Sequence, residues 1–556
     1  SWVDWPEGFL LLVGIPLKVL GVSDFRSLEL GVTVVMITLG MISAVSAILL
    51  AQKVIRSFWL CLVVFILASV NFLLVRFSCL GQVDHHIVEA ILPPLVLWMM
   101  YSAYGEKPVK GAQYLLAFIL AFSLLLSSSS LFIFGVFHFL YAVVFGNRSN
   151  LRAFLTANFV TLIVLLPYVI WSVHLRGDPA SITQPSFFHI VLIIFCTGFS
   201  AGSVAFRSKI VWFAAAFLAL VSFCYIFRWP DVLVRPLLGA LHYVFARGGI
   251  LANVSEAAPI FRNYNEMNFD FMHLNFGYLI WALPLAWVVL LGWKKLTMHE
   301  RAFFVWLSLM SIPGIFQKRF SQLIVIGFIV FLVWGTEKIA SFFERRRDAV
   351  SALLASIVML ATTAPMMSYG FAPQGSPRDR VDLGASAYFL KSLDIKEEDA
   401  WNRLAGKAPV ESGIWANPNM GHMLQYFTGY GVVVNSFYHD SSMREDLNIR
   451  LAKSEEELRK KFSELKLRYA ILADDFMYFD MLLNIFSVSD VEIVTHQMQG
   501  GRMVPTIRMD VAQNYAWSRL MMQDWNAAGF KRLFSNRFSE PHFYTFVKGL
   551  EFTGYE

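Results

Sequence analysis

The chain has 556 residues, of which 57% are hydrophobic and 15% are charged, and its mean hydropathy is +0.56. Soluble domains are nearer half apolar and a quarter charged, so this composition excludes an ordinary soluble protein and predicts an integral membrane protein with room for a soluble domain. The net charge of +6 comes without basic patches that interleave with aromatics, so no nucleic-acid partner is predicted. The four cysteines lie in or beside apolar runs without pairable spacing, which predicts small core residues rather than disulfides or zinc ligands.

The apolar runs predict about twelve membrane spans. Each run has roughly 17 to 24 residues, the length with which a helix crosses hydrocarbon. They lie at about 28–51, 58–80, 86–105, 112–128, 130–146, 151–173, 187–206, 209–227, 276–293, 301–316, 321–339 and 349–368. The stretch 112–146 is divided into two spans at "SSSS" (127–130).

Basic residues mark every second connection between these spans, as the preference of Lys and Arg for cytoplasmic loops requires. The basic connections contain Lys53 and Arg56, Lys107 and Lys110, Arg148 and Arg152, Arg207 and Lys209, Lys294, Lys295 and Arg301, and Lys338 with Arg345, Arg346 and Arg347. This alternation supports the span count. It predicts that "GQVDHH", the loop 228–275, "FQKRFSQ" (316–322) and everything after about 370 share one non-cytoplasmic side.

The composition changes from "APQGSPRDR" (372–380) onward. Helix-like stretches such as "SEEELRKKFSELK" (454–466) alternate there with the short β-type runs "GVVVNSF" (431–437), "RYAILAD" (468–474) and "HFYTFVKG" (542–549). Such alternation is typical of a soluble α/β domain. The predicted fold is therefore a polytopic α-helical membrane domain at 28–370, preceded by part of an external loop at 1–27 and followed by an extracytoplasmic α/β domain at 371–556.

The run "SCLGQVDHHIVEAILPPLVLWMM" (78–100) begins with four ionisable residues, Asp84, His85, His86 and Glu89. Ionisable groups are costly in hydrocarbon and are usually kept at membrane depth for a function. Asp84 and His86 stand two residues apart, and a carboxylate with an imidazole can bind a divalent cation, for which Mn²⁺ or Mg²⁺ fits a carboxylate-rich external site better than zinc. The alternative is a polar cap at the membrane interface, with Asp84 as the N-cap of the helix.

Two other predicted external segments carry polar residues of interest. Glu256 lies among small residues in "ANVSEAAPIFRNYNE" (252–266), although a single loop carboxylate is most often simply solvated. Lys318 and Arg319 lie at the outer boundary, where basic residues are disfavoured unless an anion holds them. That anion is either a lipid headgroup or a pyrophosphate, whose oxygens match the donors of an arginine. A metal beside a phosphate-binding arginine suits group transfer from a lipid-linked phosphate.

These segments together resemble the catalytic subunit of oligosaccharyltransferase, including the single-chain archaeal and bacterial enzymes. "GQVDHH" resembles the second acidic motif of that family, "NVSEAAP" its external-loop motif and "QKRF" its pyrophosphate-contacting segment. "ANPNMGHMLQYFTGYGVVVNSF" (416–437) is similar to the segment that opens the soluble domain. The resemblance implies a GT-C glycosyltransferase with thirteen spans and an external C-terminal domain. "SWVDWPEG" resembles the stretch after the first acidic motif, so the first span and that motif would precede Ser1.

The resemblance also implies roles for individual residues. Asp84, His86 and Glu256 would coordinate the divalent metal, with Asp84 and Glu256 as catalytic residues. Glu256 would also engage the attacking acceptor amide, and Arg319 would bind the lipid phosphate.

The acceptor-recognition segment departs from the family pattern. Where the family has Trp-Trp-Asp-Tyr-Gly, this chain has Asn417-Pro-Asn419-Met-Gly421, so that only the glycine matches. Asn417, Asn419 and Gly421 are therefore weak acceptor-recognition candidates. Trp415 lies two residues early and is not expected to replace the missing tryptophans.

The implied function is inverting transfer of a glycan from a polyprenyl-(pyro)phosphate carrier to a protein asparagine. The expected partners are the polyprenyl-linked donor, the acceptor polypeptide and the lipid bilayer. The expected location is a prokaryotic plasma (inner) membrane, with the active site and the C-terminal domain extracytoplasmic. Two alternatives stay open: a GT-C transfer to a lipid or polysaccharide acceptor, and an inactive homologue that acts as a membrane scaffold.

Overall fold

A computed structural model describes the greater part of the chain. The described residues are 7–78, 86–127, 129–176, 185–205, 259–263, 266–267, 269–369, 396–410, 412–416, 418–434, 440–473, 476–486, 488, 493–499, 502–522, 532–535 and 552–555. The chain divides into two compact units, one made of residues 2–22 and 27–372 and the other of residues 1, 23–26 and 373–556. We call them the membrane unit and the C-terminal unit.

The membrane unit is a bundle of helices. Within the described residues its α-helices are α1 (Glu7–Val19), α2 (Phe25–Val54), α3 (Phe58–Val70), α4 (Phe72–Ser78), α5 (His86–Tyr104), α6 (Ala112–Leu126), α7 (Ser130–Leu140), α8 (Leu151–Arg176), α9 (Phe187–Ala205), α10 (Asp270–Phe276), α11 (Leu283–Val289), α12 (Met298–Phe316), α13 (Gln322–Ser341) and α14 (Arg347–Tyr369). A π-helical turn, Tyr141–Phe145, continues α7. A short antiparallel pair, β1 (Arg262–Asn263) and β2 (Glu266–Met267), precedes α10.

Seven of the described helices are long and apolar enough to cross a membrane, and four others are shorter but apolar. Helices lie at the predicted spans throughout the described part of the chain, whereas the predicted span 209–227 lies outside it. The chain also divides at "SSSS": α6 ends at Leu126 and α7 begins at Ser130.

The predicted span 58–80 is not one continuous helix, because the chain forms two helices there. Asn71 interrupts it with extended backbone (φ −65°, ψ 129°). Its Oδ1 accepts hydrogen bonds from the N–H groups of Leu73 and Leu74, which caps α4, and its Nδ2 donates to the Asn275 carbonyl at 2.8 Å. An asparagine offers such local bonds as an alternative to the helical ladder, and both polar atoms of this buried amide take part in them.

The predicted external segment 1–27 contains an unpredicted helix, α1. Phe9, Val13 and Leu17 recur every four residues and are buried in the apolar core of the unit. This spacing puts all three on one helical face, so burial of that face accounts for the helix.

Two helices form the centre of the membrane unit. In the most apolar stretches of α5 and α13, 89% and 83% of the residues are buried, compared with 28% in α9. These two helices pack against each other, and α13 also packs against α3, α12 and α14. Polar groups at the ends of α5 and α13 are consequently held inside the bundle.

The C-terminal unit contains a mixed sheet with helices. The sheet has the order β4-β3-β5-β9-β8, where β3 is Gly413–Trp415, β4 Gly431–Val432, β5 Leu467–Ala473, β8 Arg532–Ser535 and β9 Phe552–Tyr555. β3 pairs in parallel with β4 and β5, and β9 is antiparallel to β5 and β8. A separate hairpin joins β6 (Val494–Gln499) to β7 (Arg502–Ile507). Within the described residues the helices of this unit are Glu397–Leu404, Pro418–Thr428, Asp440–Arg450, Glu455–Glu464, Phe476–Ile485, Met509–Ala512 and Ala516–Met522.

The predicted elements of this unit have different outcomes. "RYAILAD" forms β5, and "SEEELRKKFSELK" contains the helix Glu455–Glu464, which Ser454 caps by accepting from the Glu457 N–H. The strand predicted at "GVVVNSF" covers only Gly431–Val432 within the described residues. The strand predicted at "HFYTFVKG" lies outside the described residues.

Candidate active site in the membrane unit

His86 and Glu89 form a buried pair at the start of α5. His86 is the first residue of that helix, and Glu89 follows one turn later on the same face. The imidazole Nδ1 lies 2.5 Å from the Glu89 Oε2. Both residues are buried, with 8% of His86 and 2% of Glu89 exposed. A histidine predicted as a metal ligand is thus in direct contact with a second ionisable group.

The Glu89 carboxylate also receives donors from two other parts of the unit. Nε2 of Gln322, at the start of α13, donates to Glu89 Oε2 at 2.5 Å and lies 3.0 Å from His86 Nδ1. The hydroxyl of Ser127, at the end of α6, donates to Oε1 at 2.5 Å. Buried charges are tolerated where donors of this kind replace the lost water. Glu89 therefore lies in a buried polar cluster, formed with His86, Ser127 and Gln322, between three helices.

The predicted phosphate-binding segment forms a 3₁₀ turn, Lys318–Phe320, between α12 and α13. Lys318 is 9% exposed and its Nζ lies 5.4 Å from the centre of the Phe271 ring. No carboxylate among the described residues pairs with this ammonium, and desolvation lowers the pKa of Lys318. The side chain of Arg319 lies outside what the structure describes.

A third predicted segment reaches the same end of the membrane unit. Glu256 lies outside the described residues, but four residues later the N–H of Ile260 donates to the Ile315 carbonyl at 3.3 Å. Ile315 is near the end of α12, just before the turn that contains Arg319. Since Gln322 contacts His86 beyond that turn, described ends of all three predicted segments converge at one place.

Of the three predicted metal ligands, His86 is the one whose surroundings the structure describes. Asp84 and Glu256 lie outside the described residues, within which no three His, Cys, Asp or Glu side chains come together. A metal-bound histidine usually donates its other ring N–H to a carboxylate, and His86 has a carboxylate at Nδ1. His86 therefore fits the role of an imidazole ligand.

The predicted acceptor segment begins a helix of the C-terminal unit. Pro418 is its first residue, a position that suits proline because its missing N–H would be unpaired there anyway. Asn419 lies in its first turn, Gly421 is buried in it, and Asn417 lies outside the described residues. Trp415 is 1% exposed and belongs to the core of the unit. Acceptor recognition by Asn417, Asn419 and Gly421 stays a prediction.

No role was predicted for Gln322, Ser127 or Glu89 from the sequence. One signal was available for Glu89, since it follows His86 by three residues at the head of a helix. Ser127 and Gln322 carried no comparable signal, because they are 38 and 233 residues from Glu89 along the chain.

No protein family matches the sequence, and no curated protein does so either. Solved structures do match. The archaeal oligosaccharyltransferase AglB from Archaeoglobus fulgidus, in complex with an inhibitory peptide and a dolichol-phosphate, has a TM-score of 0.72, is 14% identical and aligns over 96% of this chain and 72% of its own.

The chain has the fold of an oligosaccharyltransferase.

Two other structures of the Archaeoglobus fulgidus enzyme share this oligosaccharyltransferase fold. One is tethered to an acceptor peptide containing the NVT sequon, with a TM-score of 0.68 and 13% identity over 96% of this chain and 71% of that one. The other is a complex with Zn and sulfate, with a TM-score of 0.62 and 15% identity over 91% of this chain and 65% of that one. The likeness confirms the predicted fold class, a multi-pass helical membrane domain followed by an α/β domain.

Proposed function

We propose that the chain is an oligosaccharyltransferase-like glycosyltransferase that moves a glycan from a polyprenyl-(pyro)phosphate carrier to a polypeptide asparagine. The observation that carries this proposal is the convergence of three predicted segments at one end of the membrane unit. His86 contacts Gln322, and the chain just after Glu256 is hydrogen bonded to the end of α12. The related archaeal enzyme was solved with dolichol-phosphate and with a sequon peptide, which are ligands of the proposed classes.

The proposed reaction forms a bond between the acceptor amide nitrogen and the anomeric carbon of the glycan. The bond from that carbon to the carrier phosphate breaks, and its electron pair leaves with the phosphate. The amide nitrogen releases one proton, which is taken up by the departing phosphate. Attack from the face opposite the leaving group inverts the anomeric configuration. The amide nitrogen is a poor nucleophile because its lone pair is delocalised, so Glu256 and Asp84 would engage its N–H groups and orient it.

A divalent cation, Mn²⁺ or Mg²⁺, would neutralise charge on the leaving phosphate when bound. Asp84, His86 and Glu256 would hold it, two carboxylates and one imidazole being a donor set that suits these ions. The zinc in one related structure belongs to that protein.

Two basic residues would bind the carrier phosphate. Arg319 is proposed from the sequence, because its planar fork of donors matches phosphate oxygens. Lys318 supports this assignment, since it is a nearly buried ammonium without a carboxylate partner among the described residues. A cation kept in that state at the end of a membrane bundle is well placed to receive an anion.

The proposed location is a prokaryotic plasma membrane with this end of the bundle extracytoplasmic. The basic loops support that orientation, because Lys and Arg are enriched on the cytoplasmic side. The C-terminal unit would then lie outside as well, since it follows the last predicted span.

The test is transfer by the purified full chain, supplied with lipid-linked glycan, an Asn-X-Thr peptide and Mn²⁺, with the glycopeptide detected by mass spectrometry. Activity that Glu256→Ala abolishes would support the proposal. Transfer to a lipid or polysaccharide but to no peptide would show that the proposed acceptor is wrong. This outcome is worth testing because the segment Asn417–Gly421 does not match the acceptor motif of the family. No transfer to any acceptor would favour a scaffold.

A further inference from the structure

We propose that Glu89, supported by Gln322, positions the imidazole of His86 so that Nε2 is the atom that binds the divalent cation. This inference rests on the proposed function for the cation itself. It assigns Glu89 and Gln322 as positioning residues, because they would act through His86. The contacts that carry it are buried and lie wholly within the membrane unit.

The contact between His86 and Glu89 determines which ring nitrogen can face a cation. At 2.5 Å, Nδ1 and Oε2 must share a hydrogen, since two lone pairs at that separation would repel each other. Because Glu89 occupies Nδ1, Nε2 is the ring nitrogen left to face a cation, and with Glu89 as the acceptor the ring would donate Nδ1–H and keep its lone pair on Nε2. A ring with its lone pair on Nε2 is ready to bind a cation without first changing tautomer.

Gln322 supplies a second donor to the Glu89 carboxyl group. Its Nε2 donates to the same oxygen, Oε2, at 2.5 Å, and its 3.0 Å separation from Nδ1 follows because both nitrogens converge on that atom. With the amide reversed, its carbonyl oxygen would face the carboxylate and repel it. Ser127 donates to the other carboxylate oxygen. Contacts from His86, Gln322 and Ser127 thus hold the Glu89 carboxyl group in one orientation.

Because the cluster is buried, keeping these polar side chains there without a function would be energetically unfavourable. Glu89 and Gln322 are 2% and 0% exposed, and removing a charge from water is unfavourable unless donors compensate it. Apolar side chains of similar size would pack at this position without that requirement. A carboxylate that accepts a hydrogen bond from the other ring nitrogen orients a metal-bound histidine and raises its basicity. Loss of such a partner typically weakens metal binding by about 10- to 100-fold.

The first experiment measures Mn²⁺ affinity of the purified full chain by electron paramagnetic resonance. Glu89→Ala should weaken Mn²⁺ binding by about 10- to 100-fold, and Glu89→Gln, which keeps an acceptor for Nδ1–H, by less. The matched control is Glu337→Gln. Glu337 lies on the same helix as Gln322, is 5% exposed, and accepts hydrogen bonds from the N–H groups of Arg56 and Ser57. This control should change the affinity less than about twofold, within the usual error of additivity.

A double-mutant cycle separates positioning from direct binding. If Glu89 acts through His86, then Glu89→Ala should have almost no further effect on Mn²⁺ affinity once His86→Ala is present. Additive losses would show that Glu89 contacts the cation itself or acts elsewhere, and would overturn the proposal. So would an unchanged affinity in Glu89→Ala.

A second readout does not depend on metal. In ¹⁵N-histidine spectra, the signals lost in His86→Ala identify His86, and they should report a protonated Nδ1 and an unprotonated Nε2. Glu89→Ala should shift this balance, whereas Glu337→Gln should not. A His86 ring with its proton on Nε2 would overturn the inference. Failure of the wild-type chain to bind Mn²⁺, with the predicted tautomer present, would instead contradict the metal assignment of the proposed function.

Discussion

The indole Nε1 of Trp415 donates to Oδ1 of Asp446 at 2.6 Å inside the C-terminal unit. Arg450 lies against the same carboxylate, with its Nε 3.2 Å from each oxygen, and its guanidinium carbon is 5.4 Å from the centre of the Trp415 ring and 5.0 Å from that of Trp517. Asp446 is fully buried. Desolvation raises the pKa of its carboxyl, against the opposing attraction of Arg450. The Trp415 indole is therefore a core group whose N–H is bonded to Asp446, and we expect it to make no contact with an acceptor.

Replacing this tryptophan should destabilise the C-terminal unit. Trp415→Phe leaves a buried carboxylate without one of its donors, and hydrogen bonds to charged groups contribute roughly 1.5–3 kcal/mol. Trp517→Phe is the matched control, because Trp517 is equally buried and its Nε1 has no partner among the described residues. Hydrogen exchange of the amides in β5 should rise about tenfold or more in Trp415→Phe relative to Trp517→Phe.

The same pair of variants tests whether Trp415 recognises the acceptor. The KM for an acceptor peptide should stay within about twofold of the wild-type value in both, as expected for residues that do not touch the substrate. A KM raised tenfold in Trp415→Phe alone would mean that the segment binds the acceptor through this indole after all.

Activity should require a divalent cation and disappear on chelation. Asp84→Ala and Glu256→Ala should each remove most of the turnover while leaving the fold intact, as judged by unchanged thermal unfolding. His86→Asp should be the mildest change and should shift preference from Mn²⁺ towards Mg²⁺, because it exchanges an imidazole for a harder oxygen ligand. Full activity in excess EDTA would contradict the metal assignment.

Lys318→Met should weaken binding of the lipid-linked donor without lowering the stability of the protein. Loss of the charge should raise the KM for the lipid-linked donor by about tenfold, or 1.4 kcal/mol. Desolvation lowers the pKa of Lys318, so the folded state disfavours its charged form, and removal of that charge should leave the unfolding midpoint equal or higher.

Lys338→Met provides the contrast to that variant. The Lys338 ammonium lies 2.6 Å from the buried carboxylate of Glu300, so its loss leaves Glu300 underpaired. We expect a lower unfolding midpoint and an unchanged donor KM. A Lys318→Met protein with a lower midpoint and normal donor binding would show that Lys318 is structural.

Discrimination at the acceptor should be weak. A site that hydrogen bonds a substrate hydroxyl can reject an analogue without it by about 10⁴-fold, but Asn417, Pro418 and Asn419 stand where the family has two aromatic residues and a carboxylate. Peptides with Thr or Ala two residues after the acceptor asparagine should therefore differ less than about tenfold in kcat/KM. A loss of several hundredfold with Ala would show that other residues rebuild the pocket.

Topology can be checked with reporter fusions. Fusions after residues 107, 148, 208, 295 and 346 should report the cytoplasm, and fusions after 83, 255 and 380 the external side, because basic loops are retained inside. An external fusion at 346 or a cytoplasmic one at 380 would separate segments that the proposed site needs on one face.

Hydropathy and charge were enough to predict the membrane bundle, most of its helices and the α/β character of the C-terminal unit. These features depend on local composition, since a helix of about 20 apolar residues satisfies its own backbone wherever it lies in the bilayer. The break at Asn71 was not predicted, because one polar residue in an apolar run does not reveal whether its amide will cap a new helix. Only the folded chain shows the bond from Asn71 to Asn275.

The polar cluster was decided by tertiary structure. His86 and Glu89 are neighbours on one helix turn, and their proximity follows from sequence spacing. Gln322 joins them from 233 residues beyond Glu89, through the packing of α5 against α13. Similarly, no local pattern distinguishes Trp415 as a core residue from an exposed aromatic, since its partner Asp446 is 31 residues away. Periodicity determines which face of an element is apolar, whereas the choice of partners for a buried polar group depends on which elements pack together.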